Sequence, residues 1–182
     1  MKLIKTNIPE ILIIQPNLYN DERGYFRETF NKKNSEELLG DIFFVQENQS
    51  KSKKGVLRGL HFQSPPYEQS KLIECLQGEI IDVAVDIRTN SKSFGMHHSI
   101  VLSGTDNNQL YIPKGFAHGF LVLSDSALVS YKVDNYYNPD FESGIYSLDS
   151  ELKIDWRFEH KNIIMSKKDK NLKPFSKFSN PF

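Results

Sequence analysis

Apolar and polar residues alternate along this chain in short runs with a period near two, and the period of an amphipathic helix is nearly absent. The clearest run is Ile80-Ile-Asp-Val-Ala-Val-Asp-Ile87. On a strand, Ile81, Val83, Val85 and Ile87 share one face, and Asp82, Ala84 and Asp86 share the other. Asn90-Ser91 and Gly95 interrupt the pattern before Ser99–Leu102, and Ser103–Asn108 reads as a turn before Gln109–Ile112. A second tight turn at Pro113-Lys-Gly115 leads into Phe120–Leu123 and then Ala127–Val133. Strands of this length, punctuated by Gly, Pro, Asn and Asp about every 8–12 residues, predict an antiparallel sandwich or barrel. A jelly roll with one ligand cavity fits. The one helix the pattern predicts spans Asn34–Leu39, with Asn34 as N-cap, Glu37 at N3 and Gly40 as the stop.

Composition narrows the class. At 182 residues the chain can bury one good core, so one domain over 1–182 is expected. Lys+Arg and Asp+Glu each total 23, so no net field draws in nucleic acid or an anionic membrane. The N-terminal residues lack a secretory h-region and no apolar run approaches ~20 residues, so a soluble cytoplasmic protein is expected. Cys75 stands alone, which excludes an intrachain disulfide. The last stretch, from Lys161 to Lys177, is rich in lysine and reads as a solvated tail.

Two segments carry the candidate chemistry: Gly55-Val-Leu-Arg58-Gly-Leu-His61-Phe-Gln63 and Tyr111-Ile-Pro-Lys-Gly-Phe-Ala-His118-Gly-Phe120. Each sets one histidine among apolar residues and glycines, a placement that suits proton chemistry, metal binding or packing. The H-x-H pair of metal-binding barrels is absent, because position 59 is Gly and position 63 is Gln. His97 and His98 are adjacent and face opposite sides of a strand. No metal or cofactor is expected. A neutral imidazole near pH 7 is a suitable general base. Lys71 falls on the inward face with Ile73 and Cys75 and needs a partner or a ligand anion, with Asp82 as one choice. Arg58 and His61 are three apart and would point oppositely on a flat strand, but a bulge at Gly59 lets both reach one site. Gln46, Asn48 and Ser50 form a polar stripe that faces either water or a hydroxyl-rich ligand. The cluster Asp21–Glu28 is either an anion- and ring-binding loop or a solvated hairpin tip.

Taken in order, these segments resemble the dTDP-4-dehydrorhamnose 3,5-epimerase family. The matching pieces are D-x-R-G-x-F-x-E from Asp21, Q-x-N from Gln46, G-V-L-R-G-L-H-F-Q from Gly55, K-L-I from Lys71 and D-V-A-V-D-I-R from Asp82. Y-I-P-K-G-F-A-H-G-F from Tyr111, Y-K from Tyr131 and S-K-K-D from Ser166 complete the series. The resemblance implies an all-β, cupin-type jelly-roll barrel without metal, acting on the nucleotide sugar dTDP-4-dehydro-6-deoxy-D-glucose. It implies a homodimer with exchanged N-terminal contacts. By the same resemblance His61 is the base, Asp169 orients it, Tyr131 delivers the proton to the opposite face, and Lys71 supports the enolate oxygen. Arg23, Phe26, Glu28, Gln46, Asn48, Arg58, His118, Glu142 and Lys168 then match substrate contacts, Tyr137 matches the residue stacking on thymine, and Tyr19 would come from the partner. The chain departs from the family pattern after Glu142 and at Arg157, which follows Trp156. Two alternatives accompany this reading: an epimerase acting at C3 or C5 alone, and a non-catalytic sugar-nucleotide-binding cupin.

Overall fold

The computed structural model describes all 182 residues. Thirteen strands form two main antiparallel sheets and a small hairpin. The first sheet comprises β1 (Lys2–Lys5), β2 (Leu12–Gln15), β5 (Gln46–Lys53), β7 (Lys71–Gln77), β10 (Gln109–Ile112) and β12 (Ser126–Val133), in spatial order β1-β2-β10-β7-β12-β5. The second comprises β6 (Leu57–Gln63), β8 (Glu79–Asp86), β9 (His97–Ser103), β11 (Phe116–Val122) and β13 (Glu142–Gly144), ordered β13-β6-β11-β8-β9. The hairpin of β3 (Tyr19–Asp21) and β4 (Gly24–Phe26) stands apart. This is the expected all-β jelly roll, in which alternate side chains of both sheets meet in a common interior. No helix is long and apolar enough to cross a membrane.

The period-two pattern places the core. Ile73, Cys75 and Val129 of the first sheet pack against Ile80, Ala84, Phe116 and Phe120 of the second, and all are buried. The aspartate-bearing face of β8 therefore lines the interior. Its more apolar face, with Ile81, Val83 and Val85, points outward and is covered by Leu152, Trp156, Met165, Phe175 and Phe178. That covering corrects the expectation of a solvated C-terminal tail. Lysines 167, 168, 170, 173 and 177 are exposed, but the aromatic residues between them close a hydrophobic face that water would otherwise wet. The Trp156 indole donates to the Ser147 carbonyl at 2.9 Å, and Arg157 turns the chain with φ 51°.

The predicted helix begins earlier than expected. α1 spans Lys32–Leu39, and its N-cap is Asn31, whose side chain accepts from the Asn34 amide. Asn31 and Asn34 offer the same capping chemistry three residues apart, and the structure uses the earlier one. Gly40 ends the helix at φ 82°. With Phe30, Ile42 and Phe44, the helix residue Leu39 covers Ile14, Leu72 and Tyr111 on the outer face of the first sheet.

The bulge expected at Gly59 is present. His61 pairs with His118 and Arg58 with Phe120, so β6 holds one more residue than β11 between those pairs. Arg58 and His61 consequently face the same side. Gly59 has φ 123°, and a Cβ there would lie 2.5 Å from the Gly119 Cα. A Cβ on Gly119 would in turn lie 2.6 Å from the Arg58 carbonyl oxygen. Two strands can come this close only where both lack side chains. Gly59→Ala is expected to lower stability by about 2–4 kcal/mol, read from the urea midpoint, since it combines a forbidden φ with backbone overlap. A loss below ~1 kcal/mol would show that the bulge can relax.

Candidate active site

The interior opens into two adjoining cavities of about 470 Å³ and 380 Å³ that share His61, Lys71 and Tyr131. His61 comes from β6 on one sheet, whereas Lys71 and Tyr131 come from β7 and β12 on the other. Imidazole and phenol thus project from opposite walls. The larger cavity is completed by Arg58, His118, Lys168 and Asp169, and the smaller by Gln46, Asn48, Tyr137 and Glu142. The polar stripe of β5 therefore faces ligand space rather than bulk water.

His61 is held by Asp169, 108 positions later in the chain. Its Nε2 lies 2.7 Å from Asp169 Oδ1. An ionised carboxylate only accepts, so Nε2 carries the proton and Nδ1 is left as the basic lone pair. Asp169 arrives there because the strand entering β6 captures the C-terminal segment. Ile164 donates its amide to the Gly55 carbonyl at 2.8 Å, and Leu57 donates to the Ile164 carbonyl at 2.9 Å. Helix α2 (Lys167–Lys170) follows at once, and the Asp169 amide donates to the capping Ser166 hydroxyl at 3.0 Å. Burial alone would raise the Asp169 carboxyl, but hydrogen bonds from His61, Ser166 and the Gly59 amide bring it below the usual carboxylate range. It is thus ionised at neutral pH and would stabilise a positive charge on the His61 ring.

Burial also shifts the groups on the opposite wall. Burial raises the Tyr131 phenol, with Arg58 opposing and Glu142 reinforcing, so it stays protonated and available as an acid. Burial pushes the Lys71 ammonium down to about 8, with Asp82 and then Glu142 holding it up. The anticipated direct Lys71–Asp82 contact does not form. Asp82 instead meets His118, whose Nε2 lies 3.0 Å from each carboxylate oxygen. Glu142 is bound by Lys168 at 2.5 Å and by the Tyr137 hydroxyl at 2.6 Å. Arg58 Nε donates to Ser52 at 3.0 Å, which orients its guanidinium.

Three expected contacts lie elsewhere. Arg23 is 83% exposed and pairs with Asp21 in the hairpin, and Phe26 is exposed beside Tyr19. Glu28 accepts from Asn31 and Asn34. None of the three lines either cavity of its own chain. Arg27 anchors the base of this hairpin through a mostly buried ion pair with Glu74. Conversely, Gln63, at the end of the β6 motif, has a structural role. Its amide donates to the Tyr67 and Tyr136 carbonyls and its oxygen accepts from Asn138, so it buttresses the loop that presents Tyr137. Its position at the end of the β6 motif was the only signal for that role. No group of three or more His, Cys, Asp or Glu side chains is arranged to hold a metal ion.

A barrel interior with a carboxylate-oriented imidazole on one wall, a phenol on the other and an ammonium between them defines a cupin-fold acid–base enzyme. The comparisons narrow the class. The sequence model of the dTDP-4-dehydrorhamnose 3,5-epimerase family matches residues 5–177, and the chain belongs to that family. It is 50% identical over 173 residues to the dTDP-4-dehydrorhamnose 3,5-epimerase of Escherichia coli K12, covering 94% of this chain and 93% of that one. The crystal structure of the dTDP-6-deoxy-D-glucose-3,5-epimerase of Legionella pneumophila in complex with dTDP-4-keto-L-rhamnose superposes with a TM-score of 0.94 at 49% identity. It covers 98% of this chain and 94% of that one. A 3'-monoepimerase from Streptomyces bikiniensis in complex with dTDP-quinovose is more distant, at 29% identity and a TM-score of 0.88, covering 94% and 87% of the two chains.

If Asp169 serves to charge and orient His61, Asp169→Asn lowers kcat by about 10²–10³ while dTDP binding, measured by calorimetry, changes less than threefold. Equal losses in binding and turnover would assign Asp169 to substrate contact instead.

Proposed function

We propose that this protein is a dTDP-4-dehydrorhamnose 3,5-epimerase, converting dTDP-4-dehydro-6-deoxy-D-glucose to dTDP-4-dehydro-L-rhamnose. The observation that carries the reading is the placement of the His61–Asp169 pair and Tyr131 on opposite walls of one cavity, with Lys71 beside both. The C4 ketone acidifies the hydrogens at C3 and C5. His61 removes one from one face, the enolate oxygen is supported by Lys71, and Tyr131 returns a proton from the other face. Repetition at the second carbon completes the inversion. Arg58, His118, Gln46 and Asn48 line the same space and are suited to the diphosphate and hydroxyl groups, while Glu142 and Lys168 close the cavity mouth. Tyr137, about half exposed at the rim, offers a face on which thymine can stack.

Single-carbon epimerisation is the nearest rival, and the greater identity to the 3,5-epimerases than to the monoepimerase favours the double reaction. A pure binding role leaves the base and acid on facing walls without purpose. In deuterated buffer, with no metal added, the protein is expected to place deuterium at both C3 and C5 of the 4-keto sugar. His61→Ala should abolish this exchange while retaining the fold. Exchange at one carbon only would demote the protein to a monoepimerase.

The exposed Tyr19–Phe26 hairpin bears Arg23 and Phe26, matched to substrate contacts, yet it lies outside its own cavity. A homodimer in which each hairpin completes the neighbouring site reconciles the two observations. Mixing inactive His61→Ala with inactive Arg23→Ala protein, after mild dissociation and reassociation, should then restore up to about a quarter of wild-type activity, because a mixed dimer contains one unaltered site. Failure to recover activity although mixed dimers form would place Arg23 in its own chain's site.

A further inference from the structure

Asp82 lies on the inner face of β8 with no solvent exposure, between the apolar residues Ile80 and Ala84. Burying a carboxylate is costly unless it is paired, and an apolar residue would fill the same space at no electrostatic cost. Packing alone therefore gives no reason for an acid at this point of the barrel.

We infer that Asp82 is a positioning residue of the reaction: its carboxylate fixes the ring of His118 in one tautomer and holds the Lys71 ammonium in its charged form beside the substrate ketone. The inference rests on the epimerase reading of the cavity. Both carboxylate oxygens lie 3.0 Å from His118 Nε2, so that nitrogen carries the proton and Nδ1 keeps its lone pair. His118 is thereby an acceptor for a sugar hydroxyl rather than a competing cation. Burial lowers the imidazole, against the pull of Asp82, so at neutral pH His118 binds the carboxylate without cancelling its charge.

That charge faces Lys71 from the opposite sheet, since Lys71 lines the same cavity as the His118 ring that Asp82 holds. Burial works against the ammonium, and Asp82 is the larger of two carboxylates opposing it, the other being Glu142 on β13. Glu142 is already engaged by Lys168 and Tyr137. The remaining charged or titratable groups around the space are His61 and Arg58 on β6, His118 on β11, Tyr131 on β12, and Lys168 and Asp169 on α2; of these only Asp169 is negative, and its carboxylate is engaged by His61. His98 on β9 also feels Asp82 but is itself pushed toward the neutral form by burial. With its ammonium near 8, Lys71 loses its charge as pH rises through that value, and the rate falls on the alkaline side. Removing Asp82's charge moves that limb to lower pH.

Asp82→Asn is close to isosteric, and its carbonyl still accepts from His118, so the variant removes charge while the ring stays held. The ε-carbon resonance of Lys71, followed by carbon-13 NMR, should titrate near pH 8 in the wild type and about one unit lower in the variant. The alkaline limb of kcat should move with it, giving a loss of about fivefold at pH 8 and almost none at pH 6. Asp82→Glu restores the charge and should bring the midpoint back toward 8. Asp82→Ser carries the same expectation as Asn if the amide variant folds poorly. A Lys71 midpoint that stays in place, with a uniform fall in rate at every pH, overturns the proposal and leaves Asp82 a packing role. The NMR titration needs no turnover. A shifted midpoint in a protein without epimerase activity would therefore sink the functional reading and, with it, the role in the reaction, leaving only the charge coupling between Asp82 and Lys71.

Discussion

The close approach of β6 and β11 at Gly59 and Gly119 is the constraint on which the site depends. Because neither residue carries a Cβ, β6 accommodates one extra position between Arg58 and His61, and both side chains turn inward. The same local geometry brings the Gly59 amide to Asp169. Without the bulge, period two would send either the imidazole or the guanidinium to the outer face. The imidazole of His61, the guanidinium of Arg58 and the carboxylate of Asp169 are thus set by one irregularity in an otherwise regular sheet.

Electrostatics then divides labour among groups that look alike in sequence. The two histidines of the recognition segments are cross-strand neighbours, yet each is captured by a different carboxylate: His61 by Asp169 and His118 by Asp82. His61 is partly open to the cavity and His118 is buried, which fits one to exchange protons and the other to hold a fixed hydrogen-bonding pattern. Facing them, burial moves Tyr131 and Lys71 in opposite directions, toward a retained phenol proton and a weakened ammonium. Tyr131 and the Lys71 ammonium thus occupy one wall, and the imidazoles held by carboxylates occupy the other.

Much of this was legible in the sequence, for identifiable reasons. The alternation in Ile80–Ile87 gave the strand and its two faces, because a period of two leaves little freedom. It did not say which face points inward, and here the more apolar one lies outside, under the C-terminal segment. That segment was misjudged because its lysines dominate the composition while Met165, Phe175 and Phe178 do the packing. The bulge was foreseen from the spacing of Arg58, Gly59 and His61. The partner of Lys71 was misplaced, since Asp82 can reach across the barrel or along its own sheet and only coordinates decide between them. Arg23, Phe26 and Glu28 were carried by resemblance, and no single-chain pattern could say that they lie outside the cavity of their own chain.

The 108 residues separating His61 from Asp169 also order events in time. A chain emerging from the ribosome completes the strands of both sheets before it makes residues 164–169, which supply both the last wall of the larger cavity and the carboxylate that holds His61. The sheets are therefore synthesised first, and the closing wall and the His61 partner arrive together. A nascent barrel held at that point has His61 without its carboxylate and a cavity still open on one side.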